Sequence, residues 1–369
     1  MNTLVSPRSR LAAGLGRLKS AMRLSMRFAY ANALPKDLFT DQIKLARVRE
    51  LFAKYVRLVE IENHSYCNRT CSFCPNSSLD RISRVVPIES TVYDRIIGDL
   101  ASINYDQTLV WARYHEPLAD DSIYDRLFQA RKALPKAFLS VTSNGDYLNA
   151  ETVKRLEDAG INHMYISLYL PDGEERIPEV IASAKDKFQR RTGLRYGKQV
   201  GDFMWRMDGS KMQMLVGVPN YSAAGQALSS RGGLIQVETT FKDYQRTSVC
   251  FSPLHHVVVD YNGKSMLCCQ TRSDAPEHQN SVIGYIGRDD YSLFHHYRDL
   301  AGARAGLFRG GPKHGVCKTC SQNAEGPFRV GRVDALAGFI GLVPGAGAAF
   351  DAVLSRNHRR RRYELADAV

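Results

Sequence analysis

The chain has 369 residues, 44% hydrophobic and 24% charged, the balance of a globular protein with room for one large domain and a smaller one. Its net charge of +12 is concentrated at the ends: residues 1–60 carry twelve Lys/Arg against four acids, and residues 356–369 carry five Arg against two. The body between them is near neutral, which disfavours a nucleic-acid groove, and no run of about eighteen apolar residues offers a spanning helix.

Residues 1–36 contain no Asp or Glu, while Arg8, Arg10, Arg17, Lys19, Arg23 and Arg27 are spread among Ser, Ala, Leu and Met. Three readings stand: an arm packed on the body, which we favour, a helix on a membrane surface, and a mitochondrial transit peptide. Residues 41–57 read as a helix, and the arm as a whole spans 1–54. Arg57 to Asn63 reads as a buried strand centred on Leu58-Val59-Glu60-Ile61. It delivers the sequence Tyr-Cys-Asn-Arg-Thr-Cys-Ser-Phe-Cys-Pro-Asn at residues 66–76. Cys67, Cys71 and Cys74 can each ligate one iron of a 4Fe–4S cluster, since such clusters are held by thiolates. The fourth iron then has no protein ligand nearby, and an open position marks a catalytic metal site rather than a structural one. Three cysteines packed as small hydrophobes are the plain alternative.

After Pro87 a helical pattern places Val92, Ile96, Ile97 and Leu100 on one face. Thr108 to Trp111 is a second strand, followed by a helix capped by Asp120 or Asp121 that runs through Ala133. Phe138 to Thr142 is a third strand, and the helix over 150–159 is stopped by Gly160. Met164 to Leu168, Met212 to Val218 and Leu234 to Val237 complete six strands. Strands alternating with helices imply a parallel sheet with right-handed crossovers, here an α/β fold with a partial (β/α)6 barrel over 55–245. The strand ends run into Tyr114-His115-Glu116-Pro117, into Thr142-Ser143-Asn144-Gly145, and to Ser167. Each is an ordinary turn former alone, but ligands bind at the carboxyl ends of parallel strands. Tyr169, Asp172, Arg176 and Trp205 are candidates for the substrate side.

From Cys250 the pattern changes. Val257 to Asp260 and Lys264 to Cys268 flank Tyr261-Asn262-Gly263, a hairpin with an Asn-Gly turn. Cys269 follows at once, then a helical stretch from Ser292 to Leu307, then Cys317-Lys318-Thr319-Cys320. Four thiolates from a hairpin and a late Cys-x2-Cys make a closed site over 246–325, a small hairpin-plus-helix iron–sulfur module with zinc as the rival metal. Cysteines in such clusters point to metal ligation in a reducing compartment rather than to disulfides. Residues 326–369 read as a short helix and a basic tail.

The cysteine loop resembles the C-x3-C-x2-C signature of the radical S-adenosylmethionine (SAM) superfamily. The resemblance implies that the open iron is chelated by the amino and carboxylate groups of SAM, which is cleaved to a 5′-deoxyadenosyl radical that takes a hydrogen atom from an unactivated C–H bond. Residues 114–117 resemble the family's Gly-Gly-Glu-Pro motif, with Tyr114 and His115 in place of the glycines and Glu116 kept for the SAM amino group. Asn144 and Ser167 resemble positions that touch the SAM ribose or carboxylate, and Arg231 is a candidate partner for a carboxylate of SAM or substrate. The C-terminal part resembles the twitch module, a shortened SPASM extension with a Cys five residues after the hairpin Gly, as Cys268 follows Gly263. It implies a second 4Fe–4S cluster on Cys250, Cys268, Cys317 and Cys320, and leaves Cys269 as a hydrogen-atom donor or inert packing. The function implied is oxidation or epimerisation of a small polar substrate such as an amino sugar, with flavodoxin or ferredoxin as electron donor. A maturase of ribosomally made peptides and a non-catalytic iron–sulfur or zinc scaffold are the alternatives. The expected location is the cytoplasm, or the mitochondrial matrix if the basic arm is a transit peptide, with membrane contact and nucleic acid disfavoured.

Overall fold

A computed structural model of the chain describes residues 31–170, 177–219, 229–235, 245–320 and 322. Helix α1 (Leu45–Tyr55) buries Val48, Leu51, Phe52 and Tyr55, a helical-period apolar stripe, and hands the chain to β1 (Leu58–Ile61). The cysteine loop comes next, then α2 (Ser90–Ala101) and β2 (Thr108–Trp111). Helix α3 (Ser122–Ala133) turns Ile123, Leu127 and Ala130 inward and leads to β3 (Phe138–Ser143). Helix α4 (Ala150–Asp158) starts on a reciprocal Asn149–Thr152 capping box, and Gly160 follows it at φ +79°. Strand β4 (His163–Ser167) and α5 (Pro178–Thr192) follow. The charged stretch beyond holds a hairpin absent from the sequence reading, β5 (Arg195–Gly201) with β6 (Met204–Asp208), before β7 (Gln213–Gly217). Short α6 (Ser252–His255), the hairpin β8 (His256–Val259) with β9 (Lys264–Met266), and β10 (Val282–Tyr285) come next, then α7 (Leu293–Asp299) and α8 (Ala301–Phe308).

The ten strands form one sheet, ordered β10-β9-β8-β1-β2-β3-β4-β7-β6-β5. Six of them, β8-β1-β2-β3-β4-β7, are mutually parallel, so their carboxyl ends share one rim. Antiparallel β6–β5 and β9–β10 extend the two flanks, and the barrel does not close. The expected sixth strand at 234–237 is a correction: Leu234 and Ile235 follow a 3-10 turn at Arg231–Gly233 and are not strand, while Val237 lies outside the described residues. The sixth parallel strand is instead β8, which pairs with β1 through Leu58↔His256 to Ile61↔Val259. Its residues are Val-rich and buried, as a central parallel strand requires. The first strand of the cysteine hairpin is therefore also a barrel strand.

Phe52 of α1 meets Phe294 and Tyr297 of α7 edge-on, each at 5.4 Å, which fastens the late helices to the barrel. Among the described residues no helix is long and apolar enough to cross a membrane. Residues 1–30, which hold most of the basic arm, and residues 323–369, with the basic tail, lie outside the described residues, as do Asp172 and Arg176.

Candidate functional site

The loop after β1 bends back over the strand rim. Cys67 N donates to Arg81 O, and Cys74 N donates to Cys71 O, closing a turn around the second and third cysteines. Inside the loop Arg69 forms a two-pronged pair with Asp146 at 2.6 and 2.7 Å, while Asn68 donates to the same carboxylate at 2.7 Å. Asn144 Nδ2 donates to Asn68 Oδ1 at 2.8 Å, and Asn144 Oδ1 accepts from Asp146 N. The turn after β3 thus fixes the stretch between the first two cysteines.

Cys67, Cys71 and Cys74 line one cavity together with Glu116, Asn144, Ser167 and Tyr169. Of the cysteines and cofactor-binding residues proposed from sequence for this site, all but Arg231 border that cavity. Burial pushes the Cys67 thiol up to about 12. A ligated iron reverses that cost, because the metal's charge favours the thiolate. Three convergent thiols therefore fit an iron–sulfur cluster held on three sides. Glu116 is fully buried; its carboxylate accepts from Ser143 Oγ and Asn144 N, both at 2.7 Å, and from Leu118 N at 3.1 Å. Burial raises it to about 7 despite those three donors. Tyr169 sits against Phe73, the aromatic before the third cysteine, at 5.2 Å between centroids. Arg231 lies near enough to offset part of the burial that raises Cys74 and Tyr114, with its Nη1 3.5 Å from Gln270 Oε1. Trp205 lies on the antiparallel flank, borders neither cysteine cavity, and packs on Tyr196 with Lys185 Nζ 4.0 Å from its ring centroid.

The two residues that replace glycines point away from each other. His115 is buried against Asn63, Nε2 to Oδ1 2.5 Å, and burial keeps it neutral. Tyr114 extends toward the hairpin region, where its hydroxyl donates to Cys269 O at 3.1 Å.

Between the two regions lies a charge network that the sequence reading missed. Arg81 pairs with Glu62 and Asp274, Arg113 with Asp260, and Arg272 with Asp274 through two bonds of 2.6 and 2.8 Å. Burial alone would raise Asp274, but its two arginines hold it well below the usual carboxylate range. Three buried cations face three acids, and each charge lacking its partner would cost several kcal/mol. The available signals were Arg113 at the end of a strand and the Arg272-Ser273-Asp274 triplet directly after the cysteine pair.

Cys250, Cys268, Cys317 and Cys320 line a second cavity with Cys269, His256 and Arg246. Arg246 is buried and donates to Cys320 O at 3.1 Å and Val249 O at 3.2 Å, with Cys320 Sγ at 3.8 Å. Burial lowers Lys313, which also feels Cys250 and Cys317. Two cations beside four thiols fit an anionic centre bound by thiolates. Cys268 feels Cys269, Cys250 and Cys317, while Cys269 also lies within 4.8 Å of ligand atoms of His256 and Glu60, with Gln270 Nε2 3.6 Å from its sulfur. Burial alone would lower His256; Cys269 and Glu60 (3.1 Å away) overrule it and hold the imidazole at about 10.

Residues 64–204 match the family model described as the Radical SAM superfamily. The chain thus carries a radical SAM domain over these residues. The chain is 24% identical over 269 residues to the S-adenosyl-L-methionine-dependent 2-deoxy-scyllo-inosamine dehydrogenase of Niallia circulans, covering 73% of this chain and 94% of the relative. Among solved structures it resembles BtrN in complex with AdoMet and 2-DOIA, at 21% identity and a TM-score of 0.51, covering 72% of this chain and 93% of that one. That likeness supports the open-barrel fold.

Proposed function

We propose that this radical SAM enzyme is an oxidoreductase that converts a secondary alcohol of a small amino-sugar-like substrate to a ketone. The observation that carries the reading is the pairing of a three-cysteine cavity ringed by strand ends with a four-cysteine cavity flanked by cations. Cys67, Cys71 and Cys74 would hold the SAM-binding cluster, and Cys250, Cys268, Cys317 and Cys320 a second cluster able to accept one electron. When bound, the first cluster and SAM supply a 5′-deoxyadenosyl radical as hydrogen-atom acceptor. Over the reaction the carbinol loses one hydrogen atom, one proton and one electron, and its C–O bond becomes C=O. Glu116 receives the SAM ammonium, Asn144 holds the cysteine loop in shape, and Ser167 borders the bound cofactor. Arg231 pairs with a carboxylate of SAM or substrate near Cys74. A flavodoxin or ferredoxin supplies the reducing electron, and the cytoplasm is the compartment that fits.

The relative's name makes 2-deoxy-scyllo-inosamine the first substrate to try. Anaerobically reconstituted protein with SAM and a reductant should form 5′-deoxyadenosine and a ketone in equal amounts. No 5′-deoxyadenosine above the control would defeat the enzyme reading; 5′-deoxyadenosine without product across a panel of aminocyclitols would defeat the substrate class. A second reading rests on the place of Cys269, whose sulfur lies within 4.8 Å of ligand atoms of His256 and Glu60. If Cys269 returns a hydrogen atom, the outcome is epimerisation, and product formed in heavy water carries deuterium on carbon.

A further inference from the structure

Tyr114 stands where the family motif has a glycine, yet its ring is almost wholly buried, at 3% exposure. The ring is flanked by Arg113 and Arg272, with guanidinium carbons 5.1 and 4.9 Å from the centroid. Three hydrogen bonds fix the residue from three directions. Its N–H donates to Glu62 Oε1 at 3.0 Å. Its carbonyl accepts from Asn76 Nδ2 at 2.9 Å, and Asn76 lies two residues after Cys74. Its hydroxyl donates to the carbonyl of Cys269, the residue after Cys268. Arg272 closes the loop by donating to Asn76 Oδ1 at 2.9 Å. A glycine could keep the first two of these bonds but not the third, so the link to the second cavity exists because the residue is tyrosine.

We propose that Tyr114 is a positioning residue that ties the three-cysteine loop to the four-cysteine cavity, so that loading the first site shifts the redox equilibrium of the second. The inference rests on the two-cluster reading given above. The Asn76 N–H donates to the Cys74 sulfur, and the Gln270 N–H, from the same peptide as the Cys269 carbonyl, donates to the Cys268 sulfur. Buried hydrogen bonds polarise one another in a low dielectric, so a change of charge at Cys74 is passed through Asn76 and Tyr114 to the Cys269–Gln270 peptide and so to Cys268. Hydrogen bonds around thiolate ligands are a recognised control on cluster potential. Burial keeps the phenol protonated, which preserves it as the donor.

The test is a double-mutant cycle read by EPR-monitored redox titration of the second cluster. One axis is Tyr114→Phe, which keeps the ring and removes only the hydroxyl. The other is Cys67→Ala with Cys71→Ala and Cys74→Ala, which empties the first site. Direct through-space charge acts alike with tyrosine or phenylalanine and cancels in the cycle. With Tyr114 present, emptying the first site should shift the second cluster's equilibrium by about tenfold, which is ~59 mV for one electron. In the Tyr114→Phe background the same change should give about threefold or less. Equal shifts in both backgrounds would overturn the proposal. An iron content of about four in the parent protein, instead of about eight, would instead defeat the two-cluster reading and the proposal with it.

Discussion

The three-cysteine and four-cysteine regions use the same donor atom and differ in what surrounds it. Around Cys67, Cys71 and Cys74 stand strand ends, the buried Glu116, Arg69, Arg113 and the aromatics Phe73, Tyr114 and Tyr169. Around Cys250, Cys268, Cys317 and Cys320 stand Arg246, Lys313 and the packed α8 segment, with Cys250 N bonded to Leu307 O. The first setting suits a centre with one open position and an ammonium-bearing ligand beside Glu116. The second suits a saturated anionic centre that exchanges charge but takes no ligand. The lesson is that the presence or absence of a fourth thiolate, rather than the donor atom, would divide binding from electron acceptance.

The strongest way to break this division is to remove the first site. Cys67→Ala with Cys71→Ala and Cys74→Ala should abolish SAM cleavage entirely and leave about four irons of about eight. Cleavage at the parent rate would refute the assignment. Next in size is Cys317→Ala with Cys320→Ala. Here SAM cleavage should persist at a reduced rate, while the yield of ketone per 5′-deoxyadenosine falls at least about tenfold, ~1.4 kcal/mol. Retained ketone would make the second site a structural lid and favour a redox-neutral reaction.

The first region was far more legible in sequence than the second. Its ligands lie in one short loop, and its other residues sit at strand ends that the period of the elements locates. Glu116, Asn144 and Ser167 converge for that reason. The second region depends on long-range pairing. That β8 joins β1 rather than following β7 is a tertiary choice: residues 234–237 and 256–259 are both short apolar runs, and only the pairing register distinguishes them. The partners of the buried Arg81 and Arg113 were unreadable for the same cause, since a single arginine in a sequence looks solvated until its acids are brought beside it.

A smaller effect sharpens the comparison at Glu116. Burial places it at about 7 in the unliganded protein, above its ordinary range. Between that ordinary range and pH 7 the folded chain holds the proton more tightly than the unfolded chain. Stability of the unliganded protein therefore falls as pH rises through this window. The SAM ammonium prefers the ionised carboxylate, so SAM affinity should rise between about pH 6 and 8. Glu116→Gln should lower SAM affinity at pH 8 on the order of tenfold, ~1.4 kcal/mol, and flatten the pH profile with iron content unchanged. Anaerobic calorimetry at several pH values measures both, and an unaltered profile in the variant would place the ammonium elsewhere.

The smallest expected effect falls on Cys269, and its smallness is the point. If the chain directs Cys268 to the four-cysteine cavity and Cys269 to His256 and Glu60, truncating Cys269 removes no cluster ligand. Cys269→Ala should keep about eight irons and the parent rate of SAM cleavage, with a stability loss of about 1 kcal/mol for a small truncation. His256 should also change. Cys269 is one of the two partners holding the imidazole at about 10 against the pull of burial, so its loss should move the titration downward, observable by NMR of labelled histidine. A fall to about four irons would exchange the roles of the two adjacent cysteines, and Cys268 would then be the thiol free for other chemistry.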